Sequence, residues 1–419
     1  MKTETAYDVI VIGGGPAGMM AAGKASERGL KVLLLEKNEV LGKKLLISGG
    51  GRCNLTNATF DTHEFLSKLE ESGKFLYSPF SKFGVEDTIK FFNAHGVATK
   101  IEPGNRVFPT SDNSSTIQKA LILYLKENGT KITTSANVLG FTYKDKKIIS
   151  VRVLENNIEK NIFANNFILA CGGTSHPETG STGDGYKWLK EIGHNIILPE
   201  PSLVPIAIKD AWAKNLQGTT LSDIKLTVLQ NEQKIFIKKG RILFTHFGIS
   251  GPTVINMSKK VGELLKVGAV KILLDVFPTL DIGTLDKKIL EIFDRNKNKQ
   301  FKNCISELIP PSFASAICHL ANLNPEITIN NITKDERVKI VRIIKEIPME
   351  VSHLLGPENS IVTSGGVDLK EVDFKNMSSK IYPNLYFAGD ILNINRPSGG
   401  YSLQICWTTG YVAGESVQK

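Results

Sequence analysis

The sequence predicts an α/β protein: a parallel sheet with helices on its faces, begun at the N-terminus and completed at the C-terminus, with a β-rich domain and a small helical module between. Three observations carry this. The apolar run from Asp8 to Ile12 ends in glycines, as a strand covered on both faces of a sheet requires. Hydrophobic spacing becomes alternating over residues 206–277 and then helical over 279–345. A last apolar strand, Leu385 to Ala388, runs into Gly389-Asp390 and returns the chain to the first sheet.

After the first strand, Gly13, Gly15 and Gly18 stand as G-x-G-x-x-G, followed by an amphipathic run to Arg28 and an apolar strand, Lys31 to Leu35, ending at Glu36. The first glycine allows a tight turn, the second lets backbone approach a pyrophosphate, and the third lets helix pack on strand. The helix aims its free N–H groups and positive dipole end at the phosphates. Glu36 follows Gly18 by 18 residues, placing a carboxylate where an adenosine ribose is held, with Lys37 beside it. Strand, turn, helix, strand and acid together predict a dinucleotide site; the glycine pattern alone would be weak evidence.

Next comes Leu41 to Asn57, LGKKLLISGGGRCNLTN. Its three glycines allow close approach to a ligand at Gly50, and Arg52 is a candidate for phosphate or cofactor oxygen. Residues 60–130 read as helix-rich, the Phe75, Phe80, Phe83, Phe91 and Phe92 patch as core, and Glu102 to Asp112 as a loop. Three short strands follow, Val138 to Tyr143, Ile148 to Leu154 and Asn161 to Ala164, as a meander leading to a separate sheet strand, Phe167 to Ala170. That strand opens on Cys171-Gly172-Gly173-Thr174, small enough at Ala170 and Gly172 to pass beside a flat ligand. A glycine-rich linker is the plainer reading of the same residues.

Prolines 199, 201 and 205 mark a boundary. Beyond it the β-rich domain contains RILFTHFGISGP, Arg241 to Pro252. His246 in that motif is a candidate substrate-side residue, although a lone His is more often structural. Leu285, Ile289, Ile292 and Phe293, then Phe313, Ile317 and Leu320, then Val338, Val341 and Ile344 keep helical spacing. Asp390 lies at the carboxyl edge of the sheet, where open α/β folds bind ligands, and is a candidate acceptor for a ribityl hydroxyl. A closing helix from Gly400 would direct its N-terminus at a flavin's pyrimidine side. The expected domains are 1–195 with 355–419, then 196–278 with 346–354, and 279–345.

The 419 residues carry a formal net charge of +9, with 41% hydrophobic and 22% charged residues, an ordinary globular composition. The lysines are scattered rather than gathered into an arm with interleaved aromatics, so a solvated basic surface is expected and nucleic acid is not. Five cysteines without a C-x-x-C argue for a reducing, cytoplasmic setting and against disulfides or zinc. No window has the ~20 apolar residues of a membrane span. No catalytic acid or base and no oligomeric state can be read.

The motifs GGGPAG, LISGGGRCNLTN, GGTSHPETGSTGDGY, LFTHFGISGP, TSGGV and NLYFAGD followed by GGYSLQ resemble, in one order, the BaiN-like bacterial FAD flavoproteins, a family of NAD(P)/FAD-dependent oxidoreductases. The resemblance runs from the N-terminus to the final helix. It implies a discontinuous, Rossmann-like FAD domain of glutathione-reductase type, an inserted β-barrel-like domain and a helical bundle. It also implies that Gly13, Gly15, Ala17 and Glu36 bind the ADP half, and that Gly50, Arg52, Cys53, Asn54, Val138, Asp390 and Leu403 line the rest of FAD. The pattern departs at Asp390, where many members carry Glu; a shorter carboxylate alters the ribityl contact without abolishing it. Flavin N5 would exchange hydride with a small organic substrate. With no second G-x-G-x-x-G, NADH or NADPH would bind transiently. The family's activities include reduction of unsaturated steroid-like substrates and oxidation of small amines with oxygen, and the sequence leaves these open. An FAD-dependent tRNA-modifying enzyme, a fumarate-reductase-like flavoprotein and a flavin-binding protein without turnover are the other classes.

Overall fold

In the computed structural model the strand Tyr7–Ile12 lies inside a sheet ordered Val372–Asp373, Ser378–Ser379, Leu385–Phe387, Ile158–Leu169, Tyr7–Ile12, Val32–Leu35, Lys131–Thr133. The structure describes residues 7–324, 326–356, 358 and 362–419. Ile10 pairs in parallel with Leu33 on one side and Phe167 on the other. Val9, Ile10 and Val11 have no exposed surface, and the helix that follows them packs in the same core through Ala17, Met19 and Met20. Backbone contact sets the depth of that packing: a Cβ at Gly410 or Gly414 of the closing helix Tyr401–Ser416 would stand 2.4 Å from the carbonyl oxygens of Ala17 and Ala21. The first helix, Pro16–Glu27, and the last therefore pack closer than side chains would allow.

Two local expectations are corrected. The meander and the sheet strand are not separate, since Ile158–Leu169 is one 12-residue strand. Residues 158–163 pair with Lys147–Glu155, and the residues after them pair with Tyr7–Ile12; the change of partner, not a turn, caused the apparent break. The segment Glu102 to Asp112 is no simple loop either. Thr99–Glu102 and Arg106–Pro109 form a hairpin extended by Thr56–Asn57, and Pro103 and Gly104 sit in its turn.

His194 is buried, with Nδ1 2.8 Å from Glu371 Oε2 and Nε2 3.0 Å from Ser379 Oγ. Ser379 Oγ also accepts the amides of Ile381 and Tyr382. This constellation is a tie between segments: its hydroxyl is 2% exposed at the residue level and its lone pairs are spent.

By backbone contacts the chain divides into Met1–Pro201 with Ser360–Lys419, and Ser202–Asn359. The second unit holds a closed barrel in the order Ile206–Ile208, Gly248–Ser250, Gln233–Thr245, Thr220–Gln230, Val270–Asp275, Ile347–Leu354. Inward Ile224, Leu226, Val228, Ile272 and Leu274 belong to the same core as Leu285, Ile289, Phe313, Ile317, Val341 and Ile344. Barrel and helices thus share one hydrophobic cluster, because the helices Ile282–Arg295, Pro311–Ala321 and Lys334–Lys345 each turn an apolar stripe to it. The β-rich part also contains a 14-residue helix, Pro252–Leu265, started by the Pro of the SGP motif. Among the described residues no helix is long and apolar enough to cross a membrane, and no group of three His, Cys, Asp or Glu side chains is arranged to hold a metal.

Candidate cofactor site

At the end of Tyr7–Ile12 the chain turns at Gly13, with φ at +104°. A Cβ there would lie 2.5 Å from Ala170 O, and one at Gly18 would lie 1.8 Å from Gly13 O, so the turn closes only with glycines. Gly15 is different: a Cβ there would meet nothing within 4 Å. It faces open space at the N-terminus of Pro16–Glu27, where no side chain caps the free amides and an anion is favoured. Ala17 lies in that first turn. Ala170, whose amide bonds to Ile12 O, walls the turn from the neighbouring strand.

Glu36 ends Val32–Leu35 and is 7% exposed. Its Oε2 accepts Gly14 N–H at 2.7 Å, and its Oε1 accepts Asn38 N–H at 2.8 Å and Asn38 Nδ2 at 2.7 Å. Lys37 is directed away from this acid: Nζ donates to Thr182 Oγ1 at 2.6 Å and pairs with Asp184 at 3.0 Å.

On the other side of the turn Gly389 follows Leu385–Phe387, and a Cβ on it would meet Ala17 Cβ at 2.8 Å. Asp390 thereby sits beside the phosphate turn. Its Oδ1 is 3.2 Å from Arg396 Nη1, close enough for an ion pair, yet neither atom has an aligned hydrogen bond. Lys44 Nζ is 3.7 Å from Oδ2 and also bonds to Ser175. Gly400, φ +100°, brings backbone so close to Thr56 that a Cβ would be 2.3 Å from its carbonyl. The helix it opens has no side-chain cap, and half-buried Leu403 lies in its first turn. With its amide oriented to satisfy both ends, Asn54 accepts Gly400 N–H at 3.0 Å and donates to Thr56 O and Val107 O; it supports the helix start.

Gly49, Gly50 and Gly51 all take positive φ, and Gly50 again faces open space. Arg52, the candidate for phosphate or cofactor oxygen, pairs with Glu102 and Asp112 and lies 4.1 Å from the centre of the Phe108 ring. These carboxylates raise its pKa further. Cys53 has φ +61° and no exposed surface, and burial pushes its thiol up to about 12. Cys171 and Cys406 are pushed to about 12 by the same cause, so all three stay protonated near neutrality. Val138 is buried in Asn137–Lys144, and Gly172, φ +77°, abuts Ser181. His246 belongs to the other unit, exposed, with its ring centre 4.8 Å from that of Phe247.

Sequence reasoning missed four contributors. Asn38 completes the Glu36 bonds. Thr363 Oγ1 accepts the amides of Thr174 and Ser175 at 2.7 and 3.1 Å, pinning the glycine loop. Lys44 and Arg396 flank Asp390; each was visible only as one cation in a motif, LGKKLLIS or NRPSGG.

An open glycine turn, two uncapped helix N-termini and a carboxylate with an unspent buried oxygen fit an extended dinucleotide. A family model described as HI0933-like protein Rossmann domain matches residues 7–416. The chain is 28% identical over 412 residues to a 3-dehydro-bile acid delta(4,6)-reductase of Clostridium scindens, with 98% of each chain covered. It is 25% identical over 415 residues to a ribosomal RNA dihydrouridine synthase of Escherichia coli, again with 98% of each covered. Among solved structures, a 3-ketosteroid delta1-dehydrogenase from Sterolibacterium denitrificans aligns at TM-score 0.54 and 13% identity, covering 97% of this chain and 98% of that one, a likeness of fold.

Proposed function

The chain belongs to the HI0933-like Rossmann family and is an FAD-dependent oxidoreductase, and from that premise we propose that it reduces a carbon–carbon double bond polarised by a carbonyl in a small organic molecule, with NADH or NADPH as hydride source. One observation carries this reading. Relatives aligned over 98% of both chains bear names that, taken as chemistry, describe saturation of such a bond: a Δ4,6 bond pair in a 3-dehydro-bile acid, and the uridine bond lost in dihydrouridine. When bound, the flavin supplies the hydride chemistry through N5. The residues supply binding and orientation. The amides after Gly15 take the pyrophosphate, Glu36 is the acceptor on the ADP side, and Asp390 is the acceptor on the flavin side. The N-terminus of Tyr401–Ser416 favours negative charge nearby.

A second reading has its own support. Two of the relatives are ribosomal RNA dihydrouridine synthases, from E. coli and Haemophilus influenzae, and the net charge is +9; the reduced bond would then lie in RNA.

Anaerobic titration tests both. The holoprotein is expected to bleach with NADH or NADPH and to recover its oxidised spectrum on adding a 4-ene-3-oxo steroid. Recovery only with unmodified ribosomal RNA moves the assignment to the second reading. Bleaching by neither nucleotide removes the NAD(P)H link and returns the oxidase reading.

A further inference from the structure

Glu36 and Asp390 stand on opposite sides of the phosphate turn. Glu36 ends the strand next to Tyr7–Ile12, and Asp390 follows the strand two places away on the other side. At about 4.8 Å per strand the two edges are about 14 Å apart. A dinucleotide whose pyrophosphate rests on the central turn therefore sends its two halves toward different carboxylates.

The two are provided for differently. Glu36 has three hydrogen bonds from neighbouring amides. Asp390 faces Arg396, whose side chain has no exposed surface. Arg396 Nη2 donates to Gly389 O at 3.3 Å and Leu392 O at 3.1 Å, while Nε and Nη1 have no hydrogen-bond partner, nor has Asp390 Oδ1. Buried donors left unmade are destabilising. Here two such donors and one unpaired carboxylate oxygen cluster at the sheet edge, with Lys44 on the opposite side of the carboxylate. Two cations around one acid leave a net positive charge on the flavin side of the turn.

We propose that Arg396 is a positioning residue for the flavin half of the cofactor: it holds the Asp390 carboxylate at the sheet edge as acceptor for the ribityl hydroxyls and places a buried positive charge beside that half. The proposal rests on FAD binding and is independent of which double bond is reduced. The competing possibility is that Arg396 only braces the loop from Gly389 to Leu392 through its Nη2 bonds. A brace would serve the whole turn, whereas a positioning residue serves one half of the ligand.

The experiment compares binding of FAD, FMN and ADP to apoprotein, by flavin fluorescence and by ADP competition, in wild type, Arg396→Lys, Arg396→Met, Asp390→Asn and the Arg396→Met/Asp390→Asn double variant. Circular dichroism establishes that each is folded. Arg396→Met is expected to weaken FAD and FMN ten- to hundredfold, with ADP changed less than twofold. Arg396→Lys is expected to recover part of the loss, and the double variant to bind FAD no worse than Asp390→Asn. Unchanged FAD affinity in Arg396→Met, or an equal loss for ADP and FAD, overturns the proposal. So does strict additivity in the double variant, which would mean that Arg396 does not act through Asp390. If Arg396→Met does not fold, Arg396→Lys carries the same comparison of FAD with ADP. A failure to turn over any enone leaves these binding outcomes intact.

Discussion

The two carboxylate edges of the sheet are held in place in two different ways. At the Glu36 edge the fold completes its own hydrogen bonding, using Gly14 and Asn38, and the acid is fixed before any ligand arrives. At the Asp390 edge the acid is held by charge alone, between Arg396 and Lys44, with polar capacity unspent. The first arrangement draws on one β-turn-α-β unit. The second brings together residues near 44, 175 and 390–396, three stretches that only the folded sheet makes neighbours. Backbone amides make a rigid receptor because regular structure sets their positions, while long cations leave charge that a ligand completes.

The strongest way to break this comparison is to disturb the turn both edges share. Gly18→Ala places a Cβ 1.8 Å from Gly13 O and is expected to cost about 3 kcal/mol or more in denaturant unfolding, with FAD retention lost. A melting temperature within two or so degrees of wild type would show that the close approach does not limit the turn.

Removing each acid then sharpens the contrast. Glu36→Ala orphans the Gly14 and Asn38 amides and is expected to destabilise the apoprotein by about 2 kcal/mol. Asp390→Asn leaves the buried Arg396 guanidinium beside Lys44 without a counter-charge and is expected to destabilise the apoprotein by about 3 kcal/mol, most of it returned when Arg396→Met is added. No recovery in that double variant would dissolve the distinction. Thr363→Val, which removes the acceptor of the Thr174 and Ser175 amides, is expected to cost about 1–2 kcal/mol and to raise proteolysis within residues 172–183; an unchanged cleavage pattern would show that the loop is held otherwise.

The smallest effect concerns pH. Burial lowers the pKa of His194, against the opposing pull of Glu371. The unfolded chain protonates this imidazole as pH falls through about 6.5, before the folded chain does. Stability is therefore expected to fall as pH drops below about 6.5 toward the folded value, and to show no contribution from this group above 6.5. His194→Gln should flatten that part of the curve; an unchanged slope would assign the dependence to other groups.

Much of the fold was legible because its signals are local. Gly13, Gly15 and Gly18, the apolar strands around them and the Glu36 acid announce a dinucleotide turn, and each backbone constraint is met within a short window. The long strand Ile158–Leu169 was broken in the reading because its exposed first half and buried second half follow different partners. Arg52 shows a related limit: a guanidinium after three glycines suggests a ligand, and its pairing with Glu102 and Asp112, 50 and 60 residues on, leaves no mark in the local sequence. His246 remained a lone histidine, now placed exposed on its own unit.

Local sequence was enough to establish the α/β class, the phosphate turn and the carboxylates at its edges, since strand periodicity, glycine φ and helix starts depend on near neighbours. Only the tertiary structure decided that barrel and helices share one core, that Thr363 pins the glycine loop, and that Asp390 is enclosed by Lys44 and Arg396. Burial and charge pairing are properties of side chains brought together from distant segments, and no spacing along the chain encodes them.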